Sequence, residues 1–271
     1  MNDTNMLIYA AVMGVITITI FYVIPFVRKA NRLKKALFDK IYWNDKANLL
    51  QDQYRKLAVG ALYSEQQTAF INSLETGLGK THLKEILANW WEIDSTEEAH
   101  KTLTYLRDKG FRYYFPSIMQ AFRSQSGDEE TIIINGLDNN DPNYDEDVDK
   151  AFSQLYHLKE TWDELIENKI IKDVEDIQRY GNVGWDCGRL VFLTRICFDA
   201  GYISEQDAWS YIDAAYSLAK NNFNSWEDFS KSYIIGRGMW GGLDCANTGI
   251  MSISEYLLKE EKSPWTQLSF A

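Results

Sequence analysis

From Thr4 to Val27 the chain has no charged side chain, and the stretch from Met6 to Val27 is almost wholly apolar. At about 1.5 Å per residue a helix over it reaches roughly 33 Å, enough for a hydrocarbon core of about 30 Å. Thr17 and Thr19 can bond back to their own helix, Pro25 falls near its end, and Tyr22 and Phe26 suit the interface. A cleavable signal peptide needs basic residues before its apolar segment and a small-residue cleavage site after it. Here Asn2-Asp3 stand before the run and every basic residue follows it. The run therefore predicts a single membrane-spanning anchor over residues 6–27. Arg28, Lys29, Arg32, Lys34 and Lys35 then form a basic collar. The positive-inside rule puts the N-terminus outside and the rest of the chain in the cytoplasm. The five collar residues are expected to hold anionic lipid headgroups, at about 1 kcal/mol each.

Charge divides the chain. The first 35 residues carry +4 against a formal total of −11, which leaves −15 on residues 36–271. So acidic a domain repels phosphate backbones and argues against a nucleic-acid partner. Cys187, Cys197 and Cys245 are odd in number and form no CxxC, a pattern of small buried hydrophobes in a reducing compartment.

Beyond the collar the pattern is helical. Residues 36–62 repeat apolar side chains at Leu49, Leu50, Tyr54, Leu57 and Ala61. Ser64-Glu-Gln-Gln67 reads as a capping box opening a helix that Gly77 and Gly79 end; a short helix should follow with Leu83, Ile86, Leu87 and Trp90. Ser95-Thr-Glu-Glu98 is a second box, for a helix stopping at Gly110. Residues 124–149 read as a long acidic surface loop, with Thr131–Ile134 as a possible short strand. Helices resume over 150–172. The last third has three more: Val183 to Ala200 before Gly201, one capped at Ser204, and one capped at Ser225.

Motifs that resemble chemistry fail in context. Gly77-Leu-Gly-Lys-Thr81 lacks the first P-loop glycine, since residue 74 is Leu74. Gly236-Arg-Gly-Met-Trp-Gly241 matches a dinucleotide fingerprint without a βαβ unit, so its glycines read as close helix packing and a helix end. Laid on a calcium loop from Asp141, the sequence puts Glu146 at the required glycine and Phe152 at the bidentate glutamate. His82, His100 and His157 have no second ligand at helical spacing. No metal and no cofactor is expected.

One charged pair stands out. Leu190, Leu193, Cys197 and Ala200 form an apolar stripe with Asp186 at its centre; Trp226, Phe229, Tyr233 and Trp240 form an aromatic stripe that includes Arg237. A charge inside a core-facing stripe needs a partner. Asp186 and Arg237 are therefore expected to meet, with Arg189 as a competing partner. Either the pair fixes helix packing, or it lines a polar cleft in which Arg237 binds an anion and Asp186 orients it or acts as a base.

Trp90-Trp-Glu-Ile-Asp94 through Gly110-Phe-Arg-Tyr-Tyr-Phe115, Gly184-Trp-Asp-Cys-Gly-Arg189, Ala200-Gly-Tyr-Ile-Ser-Glu205 with Trp209, and Ser225-Trp-Glu-Asp-Phe229 through Ser232-Tyr-Ile-Ile-Gly-Arg-Gly-Met-Trp240 resemble a bacterial family, domain of unknown function 1266. The resemblance covers roughly residues 50–242. It implies one domain and marks Trp185, Asp186, Arg189, Trp226 and Arg237 as motif positions, but it brings no reaction with it.

The expectation is an all-α chain: one transmembrane helix (residues 1–35 with its collar), then a single cytoplasmic domain of roughly eight to ten helices over 36–271. Its site would be the inner membrane of a bacterium. The leading function is an interaction or regulatory module with a basic protein partner, of which an inhibitor of a cationic toxin is one form. The alternative is a hydrolase or transferase acting on an anionic small molecule through Asp186, Arg189 and Arg237.

Overall fold

The computed structural model describes residues 41–124, 127–244 and 248–270. The expected anchor over residues 6–27 and the collar lie outside them. Among the described residues no helix is long and apolar enough to cross a membrane.

The described chain is helical, with no strand. Its α-helices are α1 Gln51–Leu57, α2 Ala61–Gln67, α3 Lys80–Lys84, α4 Thr96–Asp108, α5 Phe115–Arg123, α6 Glu129–Asn135, α7 Tyr144–Glu167, α8 Val174–Tyr180, α9 Val183–Asp199, α10 Glu205–Asn222, α11 Trp226–Gly241, α12 Thr248–Lys259 and α13 Pro264–Gln267. That is more segments than expected, because six of them are single or double turns.

Helix α9 is the centre. Fourteen of its seventeen residues are buried, against α10 and α11 above all, then α4 and the turn at 58–60. A helix buried all round belongs in the middle of a domain. Small residues let its neighbours close in: a Cβ on Gly236 of α11 would stand 2.5 Å from Trp185 Cβ. The Gly236–Gly241 motif is thus a packing surface and a helix end. The caps at Ser95, Ser204 and Ser225 form as expected, each hydroxyl accepting the N–H three residues on. The C-terminal segment is pinned by tryptophans. Trp226 and Trp265 stack at 5.4 Å, the Trp265 indole N–H donates to Ala58 O at 2.8 Å, and that of Trp226 donates to Leu268 O at 2.9 Å.

Several local expectations are corrected. Ser64 opens no helix: it sits buried inside α2, donating to Gly60 O, and α2 ends at Thr68 with φ 63°. Residues 68–79 follow as a loop. Thr131–Ile134 is helical, within α6, whose apolar Ile133 packs inward. The acidic segment is no long loop either. Helix α7 begins at Tyr144, with Asp145, Glu146 and Asp147 in its first turn, where the helix dipole favours carboxylates. Asp147 is buried, accepting the Tyr114 hydroxyl at 2.7 Å and the Lys109 ammonium. Residues 41–50 are a non-helical segment with a turn at 44–47 before α1, and Ile71 N donates to Tyr42 O at 2.9 Å.

Candidate functional site

Asp186 lies in the first turn of α9, 1% exposed. Its Oδ1 accepts the Phe111 peptide N–H at 3.0 Å and the Arg189 guanidinium. Its Oδ2 accepts the Arg112 N–H at 2.9 Å and Arg112 Nη1 at 3.1 Å. Four donors thus saturate one carboxylate. Arg112 also donates from Nη1 to Leu106 O at 2.8 Å, and from Nη2 to Arg107 O, so it caps the C-terminus of α4. The clamp ties together the end of α4, the turn at 110–113 and the start of α9. Gly110 makes it possible: its φ is +59°, and a Cβ there would stand 2.3 Å from Asp186 Oδ2.

Of the two expected partners, the structure gives Asp186 to Arg189, the competing one. Arg112, which sequence reasoning missed, is its other cation. Arg237 instead donates to Gln66 Oε1 at 2.9 Å, where the Tyr233 hydroxyl also donates at 3.3 Å. The two stripes still share a point. The guanidinium carbons of Arg189 and Arg237 lie 5.0 and 5.7 Å from the Trp185 ring centre, and Arg189 is 4.4 Å from that of Phe111. Trp185 further packs on Tyr63, Tyr233 and Trp240. What results is a stack of aromatics and guanidiniums, buried at Trp185 and Arg189, half-buried at Arg237 and exposed at Trp240. With Asp186 and Arg189 at 1% and 5% exposure, the arrangement has no carboxylate face open to a substrate.

A second buried cation was missed altogether. Arg195, 0% exposed on α9, donates to Ser64 Oγ (2.8 Å), Phe70 O (2.5 Å), Leu74 O (3.3 Å) and Glu75 O (3.1 Å). Burial pulls its pKa down to about 10, against the pull of Asp199. One turn on, Asp199 accepts Thr76 N at 2.8 Å and the Thr76 hydroxyl. Residues 68–79 are therefore wound round a guanidinium, which takes the carbonyls a helix would have used. The signal was present in the sequence: Arg195 is the one charge between Arg189 and Asp199.

His100 and His157 meet partners on other helices. His100 Nδ1 meets the Tyr211 hydroxyl at 3.1 Å, and His157 Nδ1 meets Met239 O at 3.1 Å. On the acidic segment, Asp141 is engaged by Lys109 at 2.8 Å and by Asn143 N at 2.8 Å. Burial works against the Lys109 charge, yet Asp141 and Asp147 hold its pKa above the usual range.

The family model described as "Protein of unknown function (DUF1266)" matches residues 86–270. The chain belongs to the DUF1266 family. The DUF1266 match starts later than the resemblance read from sequence and runs further, taking in the tryptophan-pinned C-terminal segment. Asp186, Arg189, Arg237 and Arg195 all fall inside it. No curated protein and no solved structure matches the chain.

Proposed function

We propose that this protein works by binding: a helical domain, tethered to the bacterial inner membrane by residues 6–27, whose acidic surface meets a basic protein partner. The observation that carries this reading is the closure of the Asp186 centre. Its carboxylate is spent on four donors of its own chain, so the charged group best placed for chemistry is a structural clamp. Nothing in its geometry favours a hydrolase or transferase cleft. What remains for function is the surface, with −15 on residues 36–271. Such a surface steers cations and repels nucleic acid and anionic lipid. The apolar run with its trailing basic collar supports the tether and a cytoplasmic domain.

Capture by the full-length protein in lipid nanodiscs tests it. The retained proteins should be basic and should elute as salt rises from about 0.05 to 0.5 M, where screening shortens from roughly 14 to 4 Å. Yields that ignore ionic strength would count against the reading.

A further inference from the structure

Helix α7 carries two stripes. Asp147, Ala151, Gln154, Leu158, Thr161 and Leu165 are buried, at alternating spacings of four and three. Two positions on, about 200° round the helix, run Asp149, Ser153, Tyr156, Glu160, Asp163 and Glu167, every one exposed. Among the described residues, none of these four carboxylates has an ion pair. The lysines of α7 are engaged elsewhere, Lys150 with Glu146 and Lys159 with Glu129. This outer face spans about 27 Å from Asp149 to Glu167.

The face also has an apolar centre. Tyr156 is 64% exposed in the middle of the stripe. The contact from His157 to Met239 O brings the end of α11 alongside, and with it Trp240 and Leu243, 46% and 47% exposed. Gly242 lies so close that a Cβ on it would meet Glu160 Oε2. An exposed aromatic with Asp149 on one side of it along the helix and Glu160, Asp163 and Glu167 on the other matches the apolar core and polar rim of a protein interface.

We infer that the outer face of α7, with Tyr156 at its centre, docks a cationic helix of a partner protein. The inference rests on the basic-partner reading above and deepens it by naming the face and the form of the partner. Charge complementarity chooses the occupant. Glu160, Asp163 and Glu167, three and four residues apart, are met in register by arginines or lysines at the same repeat, and one arginine can stack on Tyr156. A second copy's α7 would bring like charges together.

The probe is an 18-residue alanine-based helical peptide with arginines at alternating three- and four-residue spacing. Its scrambled isomer is the control. Binding is read by fluorescence anisotropy on the full-length protein in phosphatidylcholine nanodiscs, with empty nanodiscs as blank. The spaced peptide should bind at least about tenfold tighter than the scramble. The Asp149→Lys/Asp163→Lys/Glu167→Lys triple and Tyr156→Ala should each lose about tenfold. Asp45→Lys/Glu75→Lys/Glu97→Lys has the same charge change on other elements and should lose under about threefold. If the two triples lose equally, or the scramble binds as well, the α7 face is wrong while the basic-partner reading stands. Self-association in sedimentation that Tyr156→Ala abolishes would also overturn it, in favour of a second copy. If neither peptide shows salt-sensitive binding to the wild-type protein, the underlying reading falls too.

Discussion

Asp186 and Arg112 meet at 3.1 Å across 74 positions of sequence, and through that contact the start of α9 holds the end of α4. The carboxylate is the hub: Arg112, Arg189 and two peptide N–H groups all point at it. Removing it leaves the buried Arg189 without its carboxylate and takes one of three partners from the half-buried Arg112 guanidinium.

Asp186→Ala is accordingly expected to destabilise the domain by about 3–5 kcal/mol. Asp186→Asn should cost less, since an amide oxygen still accepts part of the set. Gly110→Ala should also be destabilising, because no methyl fits beside the carboxylate at φ +59°. Thermal unfolding of the full-length protein in detergent measures all three. An Asp186→Ala variant as stable as wild type would show the clamp to be unimportant.

Arg195→Met removes the guanidinium that takes the Phe70, Leu74 and Glu75 carbonyls of the 68–79 loop. Three carbonyls lose that donor and the Ser64 hydroxyl keeps only Gly60 O, for a cost of about 3 kcal/mol. That corresponds to a fall of about 6–12 °C in unfolding temperature for a domain of this size. Hydrogen exchange should show the loss spreading from residues 68–79, and unchanged exchange there would refute the winding of this loop round the guanidinium.

Much of this architecture was legible in the sequence, and for physical reasons. Serine caps at Ser95, Ser204 and Ser225 and breaks at Gly110 and Gly201 are local signals, set by a few adjacent residues. Residues 68–79 were not legible, because their backbone partners lie on Arg195, 120 to 125 positions away. The start of α7 was hidden by Asp147, an apparent loop carboxylate that is buried by Lys109 and Tyr114 from other elements. At the candidate site, Asp186 was recognisable as a charge in an apolar stripe. Its choice of Arg112 over Arg237 depended on how α4 meets α9, which helical periodicity does not encode.

Stability should fall at both ends of the pH scale. On the acid side, the Lys109 ammonium and the Asn143 N–H hold Asp141 down to about 2 from 3.8. A depressed carboxylate stabilises above its unfolded pKa, and that contribution is lost as pH falls from about 3.8 through 2. On the alkaline side, burial pushes the Cys197 thiol up from 9.0 to about 12. Its contribution is complete below pH 9 and is lost as pH rises towards 12. Cys187 shifts in the same direction. Unfolding temperature should therefore drop below pH 3.8 and above pH 9, with the acid limb flattened in Asp141→Asn. Both thiols should resist alkylation until the domain unfolds; rapid labelling of Cys197 in the folded protein would contradict its burial.

For the tether, the full-length protein should stay with membranes through an alkaline wash. Deleting residues 1–27 should release it, and a C-terminal tag should be protected from protease in intact spheroplasts. A tag digested from outside would reverse the orientation.

The central claim is that the Asp186 centre is a closed clamp, leaving function to the surface. Native-state hydrogen exchange at the amides of Phe111 and Arg112 tests it most directly, because both donate to the Asp186 carboxylate. If the clamp is shut, these two amides exchange only through global unfolding, at the rate of the slowest core amides of α9. Exchange orders of magnitude faster, through a local opening, would mean a cleft that admits solvent to Asp186 and would contradict the account.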